Sequence, residues 1–182
     1  MDLYIVNIND INNMAELYLK LSKEKKIKAS KYVCDNDQKR SIIASYLIDK
    51  FSGEGILKYN EYGKPYKDNS IYFNASHSYD YVIIGVAKQN VGVDIEQVRD
   101  FDSKLADYVF DFKVDNAYDF YLNWTKKESI IKYNGKGVSN KMKEIPVSDN
   151  NLFIKSIDYE DYVISVCLKN EEEINLVRLY EL

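Results

Sequence analysis

Phe73-Asn74-Ala75-Ser76-His77-Ser78, running on to Val91-Gly92-Val93-Asp94-Ile95-Glu96, holds the single histidine of the chain and ends in two carboxylates one residue apart. The second part alternates as a β-strand does. Successive strand side chains point to opposite faces, so Asp94 and Glu96 share one face while Val91, Val93 and Ile95 fill the other and can be buried. Two carboxylates side by side repel each other unless a cation lies between them. Hard oxygen donors on a rigid strand suit magnesium, which keeps several waters and shares itself with a phosphate. The plainer reading of an isolated Asp-x-Glu is the solvated face of a half-exposed strand.

Trp124-Thr125-Lys126-Lys127-Glu128-Ser129-Ile130-Ile131-Lys132 bears on that choice. In a helix, Trp124, Glu128 and Lys132 recur every fourth residue and follow one face. That face offers a third carboxylate and, one turn on, a cation suited to a phosphate. By itself the same pattern describes an anchoring Trp and an ordinary Glu–Lys pair contributing about 0.3 kcal/mol.

Together and in this order, the two stretches resemble the signatures of the 4′-phosphopantetheinyl transferases, specifically the longer Sfp-type branch. The family's patterns run as hydrophobic-Gly-hydrophobic-Asp-x-Glu and then Trp/Phe-x-x-Lys-Glu-Ser/Ala-x-x-Lys. Gly63-Lys64-Pro65 and Asn74-Ala75-Ser76-His77-Ser78 match upstream, and Gly135-Lys136-Gly137 follows the helix as in many relatives. Each match is weak alone; in the right order, across residues 63 to 137, they are specific.

The resemblance implies an α+β fold built as a pseudo-twofold pair of similar halves with the active site between them. Residues 1–87 would form the N-terminal half, making the coenzyme A phosphate and adenine contacts. Residues 88–182 would form the C-terminal half, with the metal site and the catalytic helix. The shorter branch of the family is half this architecture and oligomerises, so a monomer is expected here.

The implied reaction transfers the 4′-phosphopantetheine group of coenzyme A to a serine of an apo acyl, peptidyl or polyketide carrier protein. It depends on Mg2+ and releases adenosine 3′,5′-bisphosphate. The resemblance assigns the metal to Asp94, Glu96 and Glu128, and catalysis to Glu128 and Lys132, with Glu128 also the proton route. It assigns coenzyme A contacts to Lys25, Lys28, Arg40, Gly63, Lys64, Pro65, Asn74, Ser76, His77 and Lys132. Arg40 aligns only with a one-residue gap after Lys28.

Bulk properties set the surroundings. The 182 residues suit one compact unit or two small subdomains. Hydrophobic residues make up 46% of the chain, enough for a core, and the 30% that are charged favour solubility. A net charge of −4 argues against a general nucleic-acid binder. Cys34 and Cys167 are far apart in sequence and make neither a disulfide framework nor a zinc motif, so a reducing cytoplasm is expected. The N-terminus lacks the basic and apolar regions of a signal peptide, and no apolar run reaches membrane-spanning length.

Along the chain, Leu3 to Ile8 alternates as a strand. Asp10 is placed to cap a helix with Ile11, Met14, Leu17, Tyr18 and Leu21 on one face. The cluster Lys20, Lys23, Lys25, Lys26, Lys28 and Lys31 reads either as a solvated helix face or as a phosphate patch. A second helix is predicted from about Asp37 to Phe51, ended by Gly53 and Gly55. Glu61 to Tyr66 is a turn, and His77 is placed in a polar loop at a strand end. Tyr81–Val86 and Val91–Ile95 look like a hairpin around Lys88-Gln89-Asn90. Phe101 to Trp124 is predicted helical, continuing to about Tyr133. Leu152–Ile157 and Tyr162–Leu168 form a hairpin turning near Glu160-Asp161, and Ile174–Leu179 adds a third strand.

Two departures from the family stand out. Tyr79 replaces the glycine that many relatives carry after Ser-His-Ser. The segment between Glu96 and Trp124 is short; in relatives it contributes to carrier docking and sometimes supplies another acidic group, which Asp111, Asp115 or Asp119 could replace. Carriers tend to be acidic around their serine, so docking is expected on local basic and apolar surface rather than through net charge. Two other classes fit the same residues: a non-catalytic coenzyme A or carrier-binding module, and a Mg-dependent phosphodiesterase or nuclease. The acidic charge speaks against the second.

Overall fold

The alternation that opens the chain becomes strand β1 (Asp2–Asn7), followed by helices α1 (Met14–Lys20), α2 (Lys23–Ala29) and α3 (Asp35–Phe51). Short strands β2 (Lys58–Tyr59) and β3 (Pro65–Tyr66) precede β4 (Tyr72–Ser78), β5 (Tyr81–Ala87) and β6 (Val91–Gln97). Then come α4 (Ser103–Val109), α5 (Ala117–Asn134), a single 3-10 turn (Met142–Glu144), β7 (Phe153–Tyr159), β8 (Tyr162–Leu168) and β9 (Asn175–Leu179). This computed structural model describes residues 1–137 and 142–182. No helix among the described residues is long and apolar enough to cross a membrane.

The fold is α+β, with two main sheets ordered β4-β5-β1-β9 and β6-β8-β7. Leaving β9 aside, the two orders repeat: in each, the first strand in sequence pairs antiparallel with the third, which pairs antiparallel with the second. The turns repeat as well. Tyr79 in the β4–β5 hairpin and Glu160 in the β7–β8 hairpin are, among the described residues, the two non-glycine residues with positive φ, at 47° and 54°. Each is the first central residue of a two-residue turn, where the twist of the paired strands favours glycine. An L-residue in this left-handed conformation costs about 1 kcal/mol. The Tyr-for-Gly departure at Tyr79 therefore falls where glycine would carry no such cost.

Alternation explains the layers. Leu3 and Ile5 of β1 and Tyr81 and Ile83 of β5 face Val91, Val93 and Ile95 of β6 and Ile164 and Val166 of β8 in one core between the sheets. The opposite faces of β1 and β5, through Val6, Val82 and Ile84, pack on Leu17 of α1 and on Ile42, Ile43 and Leu47 of α3. A third cluster joins Ala106 and Val109 to Phe110, Phe120 and Tyr121.

Several expectations are corrected. Asp10 does not cap α1, which starts behind Asn13; its carboxylate instead accepts a hydrogen bond from Arg178 at 3.2 Å. β5 and β6 do not form a hairpin, because both edges of β5 are taken, by β4 and β1, and β6 crosses to pair with β8. His77 lies within β4, opposite Val82, rather than in a loop. Helix does not persist from Phe101 to Trp124: Phe110 turns inward against Phe120, and Asn116 caps a new helix by accepting from the Asp119 N–H at 2.9 Å. The third C-terminal strand, β9, returns to the first sheet and runs parallel to β1.

α5 lies unusually close to β6, and Gly92 permits it. A Cβ there would overlap the Ser129 carbonyl and the Tyr133 amide and stand 2.9 Å from the Tyr133 Cα. Those are backbone atoms of a helix and cannot rotate away. Gly92→Ala is expected to destabilise the protein by about 2–3 kcal/mol, or to prevent folding. A thermal midpoint within 2 °C of wild type would contradict this account.

Candidate functional site

Gly92, Asp94 and Glu96 share the face of β6 that α5 covers, and β4 runs alongside. Stitches hold the two strands: the Val93 N–H donates to the Asn74 Oδ1 at 2.9 Å, and the Gln97 N–H donates to the Ser78 Oγ at 3.3 Å. These bonds make the spacing of Ser76 and Ser78 on β4 match that of Asp94 and Glu96 on β6. The Ser76 hydroxyl donates to Asp94 Oδ1 at 2.8 Å, and the Ser78 hydroxyl donates to Glu96 Oε2 at 2.7 Å.

α5 supplies the third side. The Lys132 ammonium donates to Asp94 Oδ1 at 2.6 Å and to the Ser76 Oγ at 2.7 Å. Glu128, one turn earlier, lines the same cavity of about 350 Å3 together with His77, Glu96 and Trp124. Asp94 is 3% exposed, and its Oδ2 is buried with no hydrogen-bond partner. A buried, unsatisfied carboxylate oxygen is costly, of the order of 2 kcal/mol, unless something positive meets it.

The titration pattern agrees with a surplus of negative charge. Burial, followed by the Asp94 charge, pushes the Glu96 carboxyl up to about 7. Burial and then Asp94 also raise Glu128, with Lys132 opposing. At His77, which is exposed but hemmed in by the surrounding strands and helices, desolvation lowers the pKa, and Arg40 and Lys132 lower it further. Among the described residues, no three His, Cys, Asp or Glu side chains form a ready-made metal cage. Asp94, with its free oxygen, and the raised Glu96 and Glu128 instead offer the sparse carboxylate set of a hard cation that also binds water and substrate phosphate.

A basic pocket of about 220 Å3 adjoins this cavity through Ala75, Ser76 and His77. Lys25, Lys28, Gly63, Pro65 and Asn74 line it. The Lys25 ammonium also pairs with Asp49 and donates to the Ser45 carbonyl at 3.2 Å, whereas Lys28 is exposed. The pocket also holds a residue the sequence did not single out. Ser41 is buried, and its hydroxyl has no hydrogen-bond partner. A serine inside a helix pattern gives no sequence signal; only its burial beside the lysines marks it. Arg40, one residue earlier, lines neither the pocket nor the cavity. It bonds the Tyr79 carbonyl and the Asp37 carboxylate, tying α3 to the β4–β5 turn.

Two motif lysines turn inward. Lys64 reaches under the end of α5, donating to Asn90 Oδ1 at 2.8 Å, the Tyr133 carbonyl at 3.1 Å and the Val91 carbonyl at 3.2 Å. Its ammonium therefore braces β6 against α5, while Gly63 and Pro65 on either side face the basic pocket. Lys127, inside the Trp124–Lys132 motif, is 1% exposed and donates to the Met142 carbonyl at 2.8 Å and the Ile145 carbonyl at 2.6 Å. Both cysteines are free, Cys34 exposed and Cys167 buried.

Comparison with known proteins places these features in context. The family described as ACPS, 4′-phosphopantetheinyl transferase superfamily, matches residues 90–174. The chain is 38% identical over 136 residues to 4′-phosphopantetheinyl transferase gsp of Aneurinibacillus migulanus, covering 65% of this chain and 57% of that protein. It is 29% identical over 189 residues to a 4′-phosphopantetheinyl transferase of Bacillus subtilis, covering 81% of each. It is 26% identical over 200 residues to the Sfp protein of Bacillus subtilis strain 168, covering 89% of each. The match to the gsp protein thus spans little more than half of that protein's length.

The Lys64 brace predicts a pH signature. Burial lowers its pKa from 10.5 to about 8, so between those values the unfolded chain binds more protons at this residue than the folded one. Stability from this group therefore rises with pH across that window and is penalised below it. Denaturant midpoints of wild type and Lys64→Gln, compared from pH 7 to 10.5, should show wild type gaining on the variant as pH rises. A constant difference would rule out the linkage.

Proposed function

The chain belongs to the 4′-phosphopantetheinyl transferase superfamily, and we propose that it moves the phosphopantetheine group of coenzyme A to a serine of an apo carrier protein. The observation carrying this reading is the Ser76–Asp94–Lys132 network, with Glu96 and Glu128 lining the same cavity and one Asp94 oxygen left without a hydrogen-bond partner. The basic pocket next to it, with Lys25, Lys28 and the unpartnered Ser41 hydroxyl, suits the adenosine phosphates. Gly63, Pro65, Asn74 and His77 would border the nucleotide there, and the brace at Lys64 would hold that loop. Arg40 would reach a phosphate only by leaving Asp37 and Tyr79.

In the proposed reaction the carrier serine oxygen attacks the β-phosphorus of the pyrophosphate. The bond from that phosphorus to the bridging oxygen breaks, and adenosine 3′,5′-bisphosphate leaves. Lys132 and His77 hold phosphate oxygens as charge builds on them. Glu128 accepts the serine proton, a role helped by burial that raises its pKa. Asp94, Glu96 and Glu128 would hold a magnesium ion, which supplies charge neutralisation on the pyrophosphate when bound. We read the repeated strand order as a pseudo-twofold pair of halves dividing near residues 87 and 88, with β9 crossing back, and the protein as a cytoplasmic monomer.

The test is intact-protein mass spectrometry of apo acyl, peptidyl and polyketide carrier proteins incubated with the protein, coenzyme A and magnesium. A gain of one phosphopantetheine, lost on adding chelator, is expected. Asp94→Ala and Glu128→Ala should reduce transfer at least 100-fold, and Lys132→Ala at least tenfold. Near-normal turnover of Asp94→Ala at saturating magnesium would remove the metal assignment. Coenzyme A binding without transfer to any carrier would point to a binding module instead.

A further inference from the structure

The β4–β5 turn carries a feature that phosphate chemistry leaves unused. Tyr79 keeps a bulky ring at a left-handed backbone position and leaves it 45% exposed. The Arg99 guanidinium sits over that ring, 4.9 Å from its centroid. Arg99 is exposed and enters none of the ion pairs among the described residues. The ring is too exposed to be there for core packing, and the guanidinium, which also hydrogen-bonds with the Tyr121 side chain, lies close enough to Glu96 for the carboxylate to feel its charge.

Location gives this pair its meaning. Tyr79 directly follows Ser78, which holds Glu96, and Arg99 lies three residues beyond Glu96. Arg99 is near enough to Glu96 and Tyr121 for its charge to offset part of the burial that raises both. Tyr121 precedes Trp124 by one helical turn, and Trp124 lines the cavity. Neither Tyr79 nor Arg99 lines the cavity or the basic pocket. The pair therefore lies at the Glu96 side of the site, outside the lining of the cavity and the basic pocket.

We propose that Tyr79 and Arg99 form a docking contact for the carrier segment flanking the acceptor serine, Arg99 pairing with a carboxylate there and the Tyr79 ring packing against an apolar neighbour. The proposal rests on the carrier-transfer reading. Charge makes the case for this occupant: a chain of net charge −4 would repel an anionic partner on approach, and an exposed guanidinium beside the site reverses that locally. A guanidinium stacked on an aromatic ring and hydrogen-bonded with the Tyr121 side chain is also held in place.

The test takes a carrier that wild type modifies and has a carboxylate next to its serine, and measures steady-state constants for Arg99→Glu and Tyr79→Gly. Tyr79→Gly removes the ring while relaxing the backbone, so folding is not at risk. The carrier KM should rise at least fivefold in each variant, with the coenzyme A KM within twofold and kcat at saturating carrier unchanged. Replacing the carrier carboxylate by Lys should restore at least half of the loss in Arg99→Glu. Unchanged carrier KM in both variants would overturn the proposal while leaving the transfer reading intact. So would a fall confined to kcat, which would assign Arg99 to Glu96 instead. Failure of wild type to modify any carrier would overturn the transfer reading and the docking contact with it.

Discussion

Asp94 is the residue on which the site and much of the packing depend. A carboxylate 3% exposed is tolerable only with strong partners, because desolvation of an ion costs several kcal/mol. One oxygen has two partners: the Ser76 hydroxyl from β4 and the Lys132 ammonium from α5. Three separated elements are thereby drawn to one atom. The other oxygen has no partner, and the same charge helps to raise Glu96 and Glu128. The protein has collected negative charge at one point and left part of it uncompensated.

Keeping that arrangement requires α5 to lie almost in contact with β6, and the structure reaches this by backbone means. Gly92 removes the side chain that would separate helix and strand. The Lys64 ammonium then bridges β6 and the last turn of α5 through neutral oxygens, and Asn90 donates to the same Tyr133 carbonyl at 2.7 Å. Lys127 does similar work on the other side of the helix, satisfying the Met142 and Ile145 carbonyls. Lys64, which the family resemblance assigns to coenzyme A, and Lys127 both donate to backbone carbonyls, where a cation with three donors is well matched.

The repeated strand order explains why the site lies where it does. β4 from the first sheet and β6 from the second meet side by side, so their serines and carboxylates come into register without belonging to one sheet. The two hairpin turns repeat down to a non-glycine residue at positive φ. In one of them the side chain turns inward in function: Glu160 accepts from the Tyr81 hydroxyl at 2.7 Å and from Arg178 at 3.1 Å, tying the sheets together. In the other, the Arg99 guanidinium sits over the Tyr79 ring, which stays exposed.

Much of this was legible in the sequence. Alternation placed Asp94 and Glu96 on one face and buried the other, because a strand has a strict two-residue period. Helical spacing put Trp124, Glu128 and Lys132 on one face of α5 for the same kind of reason, and the Asn74–Ser78 stretch lies beside the same carboxylates. What sequence periodicity could not decide was partnership. It could not tell that β5 has no free edge for β6, that β9 would return to β1, or that Phe110 would break a helical pattern to reach Phe120. Nor could it separate the lysines that line a pocket from those that brace carbonyls, or find Ser41. Period and residue chemistry are local and survive in one dimension. Which strand pairs with which, which ammonium is buried and which hydroxyl is left without a partner depend on contacts between residues far apart in the chain, and those exist only once the sheets and helices have packed.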